Sequence, residues 1–284
     1  RAPGPKLVAQ PPGPRIMAPY SYEPLTAGLG EDWIDRALRD YSANGYAALN
    51  VRYRIDSLDD YAAMVPARLA LLKETFGPTW PVAARRFGLT HVIMPPPRSA
   101  LHRAVHGIAT SGASRVDHGA GPGEIWAVPH RDWATFPATV RTAGDSGAAL
   151  EWTARGFTDG DGSAVVEGVG WFPSAPGRVL AIERGLESVR IEAEAPSDAT
   201  LVVCDAWWPG WEARLDGRQV PIFRADVLVR AVRWPAGRHV LEMRYRPPEV
   251  RTGLLVSALG LALLAGWIAF MRRKRAAFVE VEPR

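Results

Sequence analysis

Twenty consecutive uncharged residues, Thr252 to Met271 (TGLLVSALGLALLAGWIAFM), form the strongest hydrophobic pattern in the chain. As a helix rising about 1.5 Å per residue they would extend about 30 Å, the thickness of a bilayer's hydrocarbon core. Trp267 and Phe270 stand near one end, where an interfacial aromatic belt lies, and Arg272-Arg273-Lys274-Arg275 follow at once. The positive-inside tendency predicts a cytoplasmic C-terminus and places residues 1–251 outside. Arg244, Arg246 and Arg251 on the other flank weaken that charge bias. The competing reading, a buried core helix, is disfavoured by the length of the uncharged run and its basic stop.

Ahead of this segment the apolar period shortens to two. In Val189–Glu194, Val189, Ile191 and Ala193 face one way and Arg190, Glu192 and Glu194 the other. Leu201–Asp205 (LVVCD) is a continuous apolar strand, and Trp211, Ala213 and Leu215 alternate in WEARL. Asp216-Gly217 is the two-residue turn that hairpins favour, with RQVPI returning. Val227–Val232 and His239–Tyr245 complete the set, with Pro235-Ala236-Gly237 between them. Seven short strands with tight turns predict a compact antiparallel β-sandwich over residues 178–249. Pro247-Pro248 closes it three residues before the apolar run, so the sandwich is expected to sit on the membrane surface.

The N-terminal half mixes both periods. Arg15–Ala18 reads as a short strand, Glu31–Tyr41 as a helix with Trp33, Ile34, Ala37, Leu38 and Tyr41 on one face, and Asn50–Ile55 as a strand. A second helix is predicted from Asp59 to about Phe76, and Thr90–Met94 as a buried strand stopped by Pro95-Pro96-Pro97. Residues 98–140 predict further strands, including Glu124–Val128 and Phe136–Val140, and Ser146–Ala154 a short helix. The expected class is α+β: a linker over 1–14, a mixed α/β region over 15–97, a β-rich connecting region over 98–177, the sandwich, a transmembrane helix over 252–271 and a basic tail over 272–284. The chain opens on Arg1 without a basic-then-apolar leader, so an export signal or earlier membrane spans are expected upstream.

Charge and cysteine content narrow the chemistry. Lys and Arg number 34 against 30 Asp and Glu, and the tail from Arg272 holds five of the basic and two of the acidic residues. The body is therefore almost neutral, which argues against a nucleic-acid surface. A single cysteine, Cys204, excludes an intramolecular disulfide framework and a multi-cysteine metal centre, and its apolar strand marks it as a core residue.

Four pieces occur in order before the span: Trp207-Trp208-Pro209-Gly210-Trp211, Asp216-Gly217, Pro235-Ala236-Gly237 and Tyr245-Arg246-Pro247-Pro248. With NVRYRIDSLDDY (Asn50–Tyr61), VPARLALL (Val65–Leu72) and FGLTHVIMP (Phe87–Pro95), they make a chain that resembles the C-terminal extracytoplasmic region of the bacterial YfhO-type membrane proteins. The resemblance implies a large polytopic protein related to the GT-C glycosyltransferases, which use lipid-linked sugar donors. Their catalytic acidic residue lies in an early outside loop that no part of this chain matches, so the catalytic part is expected upstream and no catalytic residue is assigned here. The implied partners are membrane lipid, a polyprenyl-linked sugar or envelope glycan, and upstream transmembrane helices of the same protein, with no cofactor and no nucleic acid. The alternative is a single-span surface protein whose sandwich binds a glycan or a protein without catalysis.

The WWPGW turn is the strongest candidate for chemistry. Trp207, Trp208 and Trp211 could stack on pyranose C–H groups, with Asp205 and Asp216 accepting hydroxyl hydrogen bonds. Against this, Pro209-Gly210 explains the turn and large aromatics are mostly packed. Other patterns are weaker. Asp159-Gly160-Asp161-Gly162-Ser163 lacks the ligand spacing of a calcium loop, and Glu167 comes too early to close one. His102 and His106 would align on a helix, but HRAVH has no central Glu and no evident third ligand, so no metal site is assigned. Gly119–Glu124 (GAGPGE) is interrupted by Pro122. Ser99, Ser111 and Ser114 near His102, His106 and His118 form no nucleophile elbow.

Overall fold

A computed structural model describes residues 15–17, 56–57, 67–94, 100–116, 124–156, 162–185 and 187–279. The expected linker 1–14, helix Glu31–Tyr41 and strand Asn50–Ile55, and the end of the basic tail, lie outside them. The elements run β1 (Arg15–Met17), β2 (Asp56–Ser57), α1 (Ala67–Phe76), α2 (Trp80–Ala83), β3 (His91–Met94), α3 (Ala100–Ala109), β4 (Ser114–Val116), β5 (Glu124–Ala127), β6 (Ala134–Thr135), β7 (Thr139–Ala143), α4 (Ser146–Gly156) and β8 (Ser163–Glu167). They continue as β9 (Arg178–Arg184), β10 (Ser188–Ala195), β11 (Ala199–Ala206), β12 (Trp211–Leu215), β13 (Arg218–Val220), β14 (Phe223–Ala225), β15 (Val229–Trp234), β16 (Gly237–Tyr245) and α5 (Pro248–Val279). The class is α+β, as the two periods predict.

Among the described residues there are three sheets, ordered β2-β1-β3-β5-β4, β13-β12-β16-β10-β9 and β6-β11-β15-β14-β8-β7. In the first, β1 runs parallel to β2 and β3, while β3, β5 and β4 are antiparallel neighbours. The other two face each other as a sandwich around Ile191, Leu201, Val203, Ala213, Val232, Trp234, Leu241 and Met243, all buried. A second core covers the opposite face of the six-stranded sheet: Val202, Val229 and Ala231 meet Leu72, Trp80, Phe87 and Val92 of the mixed region. This sheet is therefore sandwiched on both sides. That is why β11 is buried without a break from Ala199 to Cys204, with the apolar run Leu201 to Cys204 inside it, while β10, with one open face, alternates.

The sheet also takes β6, β7 and β8 from ahead of Arg178, so its strands come from both sides of the expected boundary. Residues 178–245 hold eight strands, β9 to β16, one more than the pattern predicts. Between Ala100 and Ala109, where strands were expected, the chain is helical. Leu101, Val105 and Ile108 recur at the three-to-four spacing of one helix face. The strand expected over Phe136–Val140 divides at Pro137 into β6 and β7, because proline cannot donate to a ladder. The strand expected from Val227 begins at Val229, since Asp226 (φ 47°) and Val227 (φ 68°) form a left-handed turn. Asp216 (φ 49°) and Gly217 (φ 81°) have the paired positive φ of the predicted hairpin turn.

α5 follows β16 after only Arg246 and Pro247, and none of Thr252–Met271 is buried against the rest of the protein. Among the described residues, this one helix is long and apolar enough to cross a membrane.

Candidate functional site

The WWPGW turn carries the chain from one sheet of the sandwich to the other. β11 ends at Ala206, Gly210 turns with φ 97°, and β12 begins at Trp211 in register with Tyr245 of β16. The turn is pinned from both sides. The Trp207 amide donates to the Leu228 carbonyl at 2.7 Å, and the Arg246 amide donates to the Gly210 carbonyl at 2.6 Å.

Each tryptophan has a different environment. The Arg224 guanidinium lies 3.9 Å from the Trp207 ring centre, and the Trp207 indole N–H donates to the Ile222 carbonyl at 3.4 Å. Arg230 lies 3.7 Å over the Trp211 ring, with the Tyr245 ring 5.4 Å away. One face of each of these two rings is thus taken by a cation. Trp208 is 52% exposed and offers the most open ring of the three. Asp205 joins the cluster through Arg230, whose Nη2 lies 3.2 Å from its carboxylate. Arg230 itself is buried, and its Nε donates to the Ala206 carbonyl at 2.9 Å.

Asp216 stands apart. It lies at the far end of β12, about 16 Å from Trp211 for five residues of extended strand. Its carboxylate accepts from the Val240 amide at 2.9 Å and pairs with His239. Of the five residues expected to meet a glycan, then, Asp205 and Trp211 share Arg230, Trp207 and Trp208 adjoin them in the turn, and Asp216 is elsewhere. The residues that sequence reasoning missed are Arg224 and Arg230, together with the contact of Tyr245 and Pro247, named only as part of a motif, with the turn. The one signal for Arg230 was a cation inside the apolar run VLVRAV, which is costly to bury without a partner.

The Asp216–His239 pair predicts a titration. The hydrogen bond to Asp216 raises the His239 pKa above its ordinary 6.5, against a smaller opposing effect of burial. The Val240 amide, then His239, lower the Asp216 pKa. A raised histidine pKa stabilises the fold fully below about pH 6.5, and that contribution fades as pH rises through the folded value. Proton NMR of His239 should show a midpoint above 6.5, and Asp216→Asn should move it back down. An unchanged midpoint in that variant would remove the carboxylate as the cause.

Two other constellations lie outside the turn. His106 Nε2 lies 2.9 Å from the Glu124 carboxylate, to which the Trp126 indole also donates at 3.1 Å, with Arg115 at 3.6 Å. These bonds, His106 first, hold the Glu124 carboxyl below its usual range. The side chain of His102 and residues Ser99, His118 and 119–123 lie outside the described residues, as do 157–161 of the aspartate–glycine loop. No group of three or more His, Cys, Asp or Glu side chains suited to a metal ion occurs among the described residues. On the open face of β12 and β16 a shallow depression of about 220 Å³ is lined by Glu212, Arg214, Glu242, Arg244 and Arg246. Its charges face opposite partners in register, Glu212 across from Arg244 and Arg214 across from Glu242, as on a solvated sheet face. No protein-family model matches the chain, and no curated protein or solved structure matches it either.

Proposed function

We propose that this chain is the extracytoplasmic, membrane-anchored portion of a bacterial YfhO-type protein related to the GT-C glycosyltransferases. In this reading it handles the acceptor or scaffolds the enzyme, and the sugar-transfer chemistry belongs to an upstream part. Its address is the bacterial cytoplasmic membrane, with the bulk of the chain outside and the basic tail in the cytoplasm. The observation that carries the reading is the direct passage of β16 into a helix with a twenty-residue unburied apolar stretch, two residues after a folded sandwich. Such a passage holds the sandwich against one bilayer surface. Support for the family comes from the order of motifs, and the WWPGW and YRPP pieces do meet, at the Gly210–Arg246 hydrogen bond.

A reporter fused after Arg284 should be active only on the cytoplasmic side, and labelling there from outside would overturn the topology. For the family, the coding sequence ahead of Arg1 should specify several further apolar spans. A lone signal peptide would favour the second reading, a single-span surface protein that binds a glycan or protein. One observation supports that alternative: Val169 and Trp171, 92% and 75% exposed, leave two large apolar side chains in solvent between β8 and β9.

A further inference from the structure

We propose that the Trp207–Trp211 turn is a membrane-interface anchor. The Trp208 ring sits in the headgroup layer of the bilayer, and Arg244 and Arg246 meet lipid phosphates beside it. This inference rests on the reading of Thr252–Met271 as a membrane span.

Pro247 precedes Thr252 by five residues, about 7.5 Å along a helix. The interfacial layer on each side of a hydrocarbon core is about 5–7 Å thick. Pro247 therefore stands at the outer edge of the headgroups whenever the span begins at Thr252. The turn is locked to that point: a Cβ on Gly210 would lie 2.8 Å from the Pro247 Cα, and Gly210 accepts the Arg246 amide. A tryptophan two residues from such a contact cannot be far from the headgroups. Trp208 is also the turn's most exposed ring, whereas Trp207 and Trp211 are engaged by Arg224 and Arg230.

Chemistry agrees with placement. Tryptophan prefers the interface because its ring is apolar and its N–H needs a polar partner. Arg244 and Arg246 flank Tyr245 at the end of β16 and are exposed. Arg246 pairs loosely with Glu212, at 3.8 Å. Guanidinium groups at this depth reach phosphates bidentately. The exposed Val169–Trp171 segment lies well away from the turn. The Val169 carbonyl is held by Arg233, which pairs with Thr200, six residues and about 20 Å up β11 from Ala206.

The test uses the full chain in nanodiscs of phosphatidylcholine and phosphatidylglycerol. Nitroxide labels are placed singly at Trp208→Cys, Trp171→Cys and Leu261→Cys, each with Cys204→Ala. Power saturation compares collisions with oxygen, which partitions into lipid, and with a water-soluble nickel chelate. The expected order of nickel accessibility is 171 highest, 208 several-fold lower and 261 lowest. Pro209→Cys provides a second site in the same exposed turn should Trp208→Cys fail to fold. If 208 and 209 match 171 while 261 stays shielded, the span stands and the anchor is refuted. If 261 is as accessible as 171, the span and the anchor fall together.

Discussion

An Asp226→Ala variant is expected to lose about 3–5 kcal/mol of stability, the cost of stranding buried cations by removing their counter-charge. The Asp226 carboxylate is fully buried, with Arg86 at 2.9 Å and Arg131 at 2.6 Å. The Val165 amide adds a third donor at 2.9 Å, and Arg131 also reaches the Ser163 carbonyl. Arg86 belongs to the mixed region, Arg131 to the segment leading into β6, and Asp226 to the turn between β14 and β15. One carboxylate thus ties the mixed region to the sandwich. It also holds Asp226 and Val227 at φ 47° and 68°, a conformation that a β-branched residue rarely adopts. Urea unfolding of the full chain in detergent measures the loss, and a change below about 1 kcal/mol would reject the clamp. Replacing all three groups with apolar residues of similar volume should recover much of it, because the desolvation of the charges is then relieved as well.

The same carboxylate sets an acid limit. Burial alone would raise its pKa, but Arg86 and Arg131 outweigh that and hold it below the ordinary carboxylate range. A depressed pKa contributes stability above about pH 4, and that contribution disappears as pH falls through the lower folded value. The Asp226→Ala variant should therefore lose less stability than the parent as pH falls below about 4.

Gly210→Ala should be the second most damaging change, for a reason separable by a control. At φ 97° any side chain is strained, at a cost of about 1–3 kcal/mol. The new Cβ would also lie 2.8 Å from Pro247 Cα and 3.1 Å from Pro247 N, both backbone atoms that cannot swing away. Gly217, at φ 81°, has nothing within 4 Å of its Cβ position, so Gly217→Ala carries the conformational cost alone. Gly210→Ala should lower the thermal midpoint further than Gly217→Ala. It should also speed hydrogen exchange of the Arg246 amide, which Gly217→Ala leaves protected. Equal effects of the two would mean that the turn and Pro247 are not packed as described.

Local patterns carried much of the architecture. Val189, Ile191 and Ala193 are buried as their alternation requires, and so are Leu241 and Met243. Strand neighbours two residues apart share a face by backbone geometry, so this signal survives in any fold. Asp226 shows where it stops. In FRADVLVRAV it reads as a turn aspartate beside an apolar run, yet its partners lie 140 and 95 residues away. Nothing within a turn's reach encodes such a pairing. β6, β7 and β8 are short segments whose membership of the sandwich depends on β11 and β14, and the helix Ala100–Ala109 was masked by an expectation of continued strands.

The tryptophan turn divides in the same way. Pro209-Gly210 announced a reversal, because fixed and permissive backbone angles are properties of single residues. Which rings face solvent was decided by Arg224 and Arg230, delivered from β14 and β15 in the same sheet as β11. The apolar segment, the strand-rich body and their adjacency are written in local sequence, since each depends on residues within a few positions of one another. Tertiary structure alone decided that a buried carboxylate clamps two regions and that the WWPGW turn rests against the root of the helix, because both require chain segments far apart in sequence to meet.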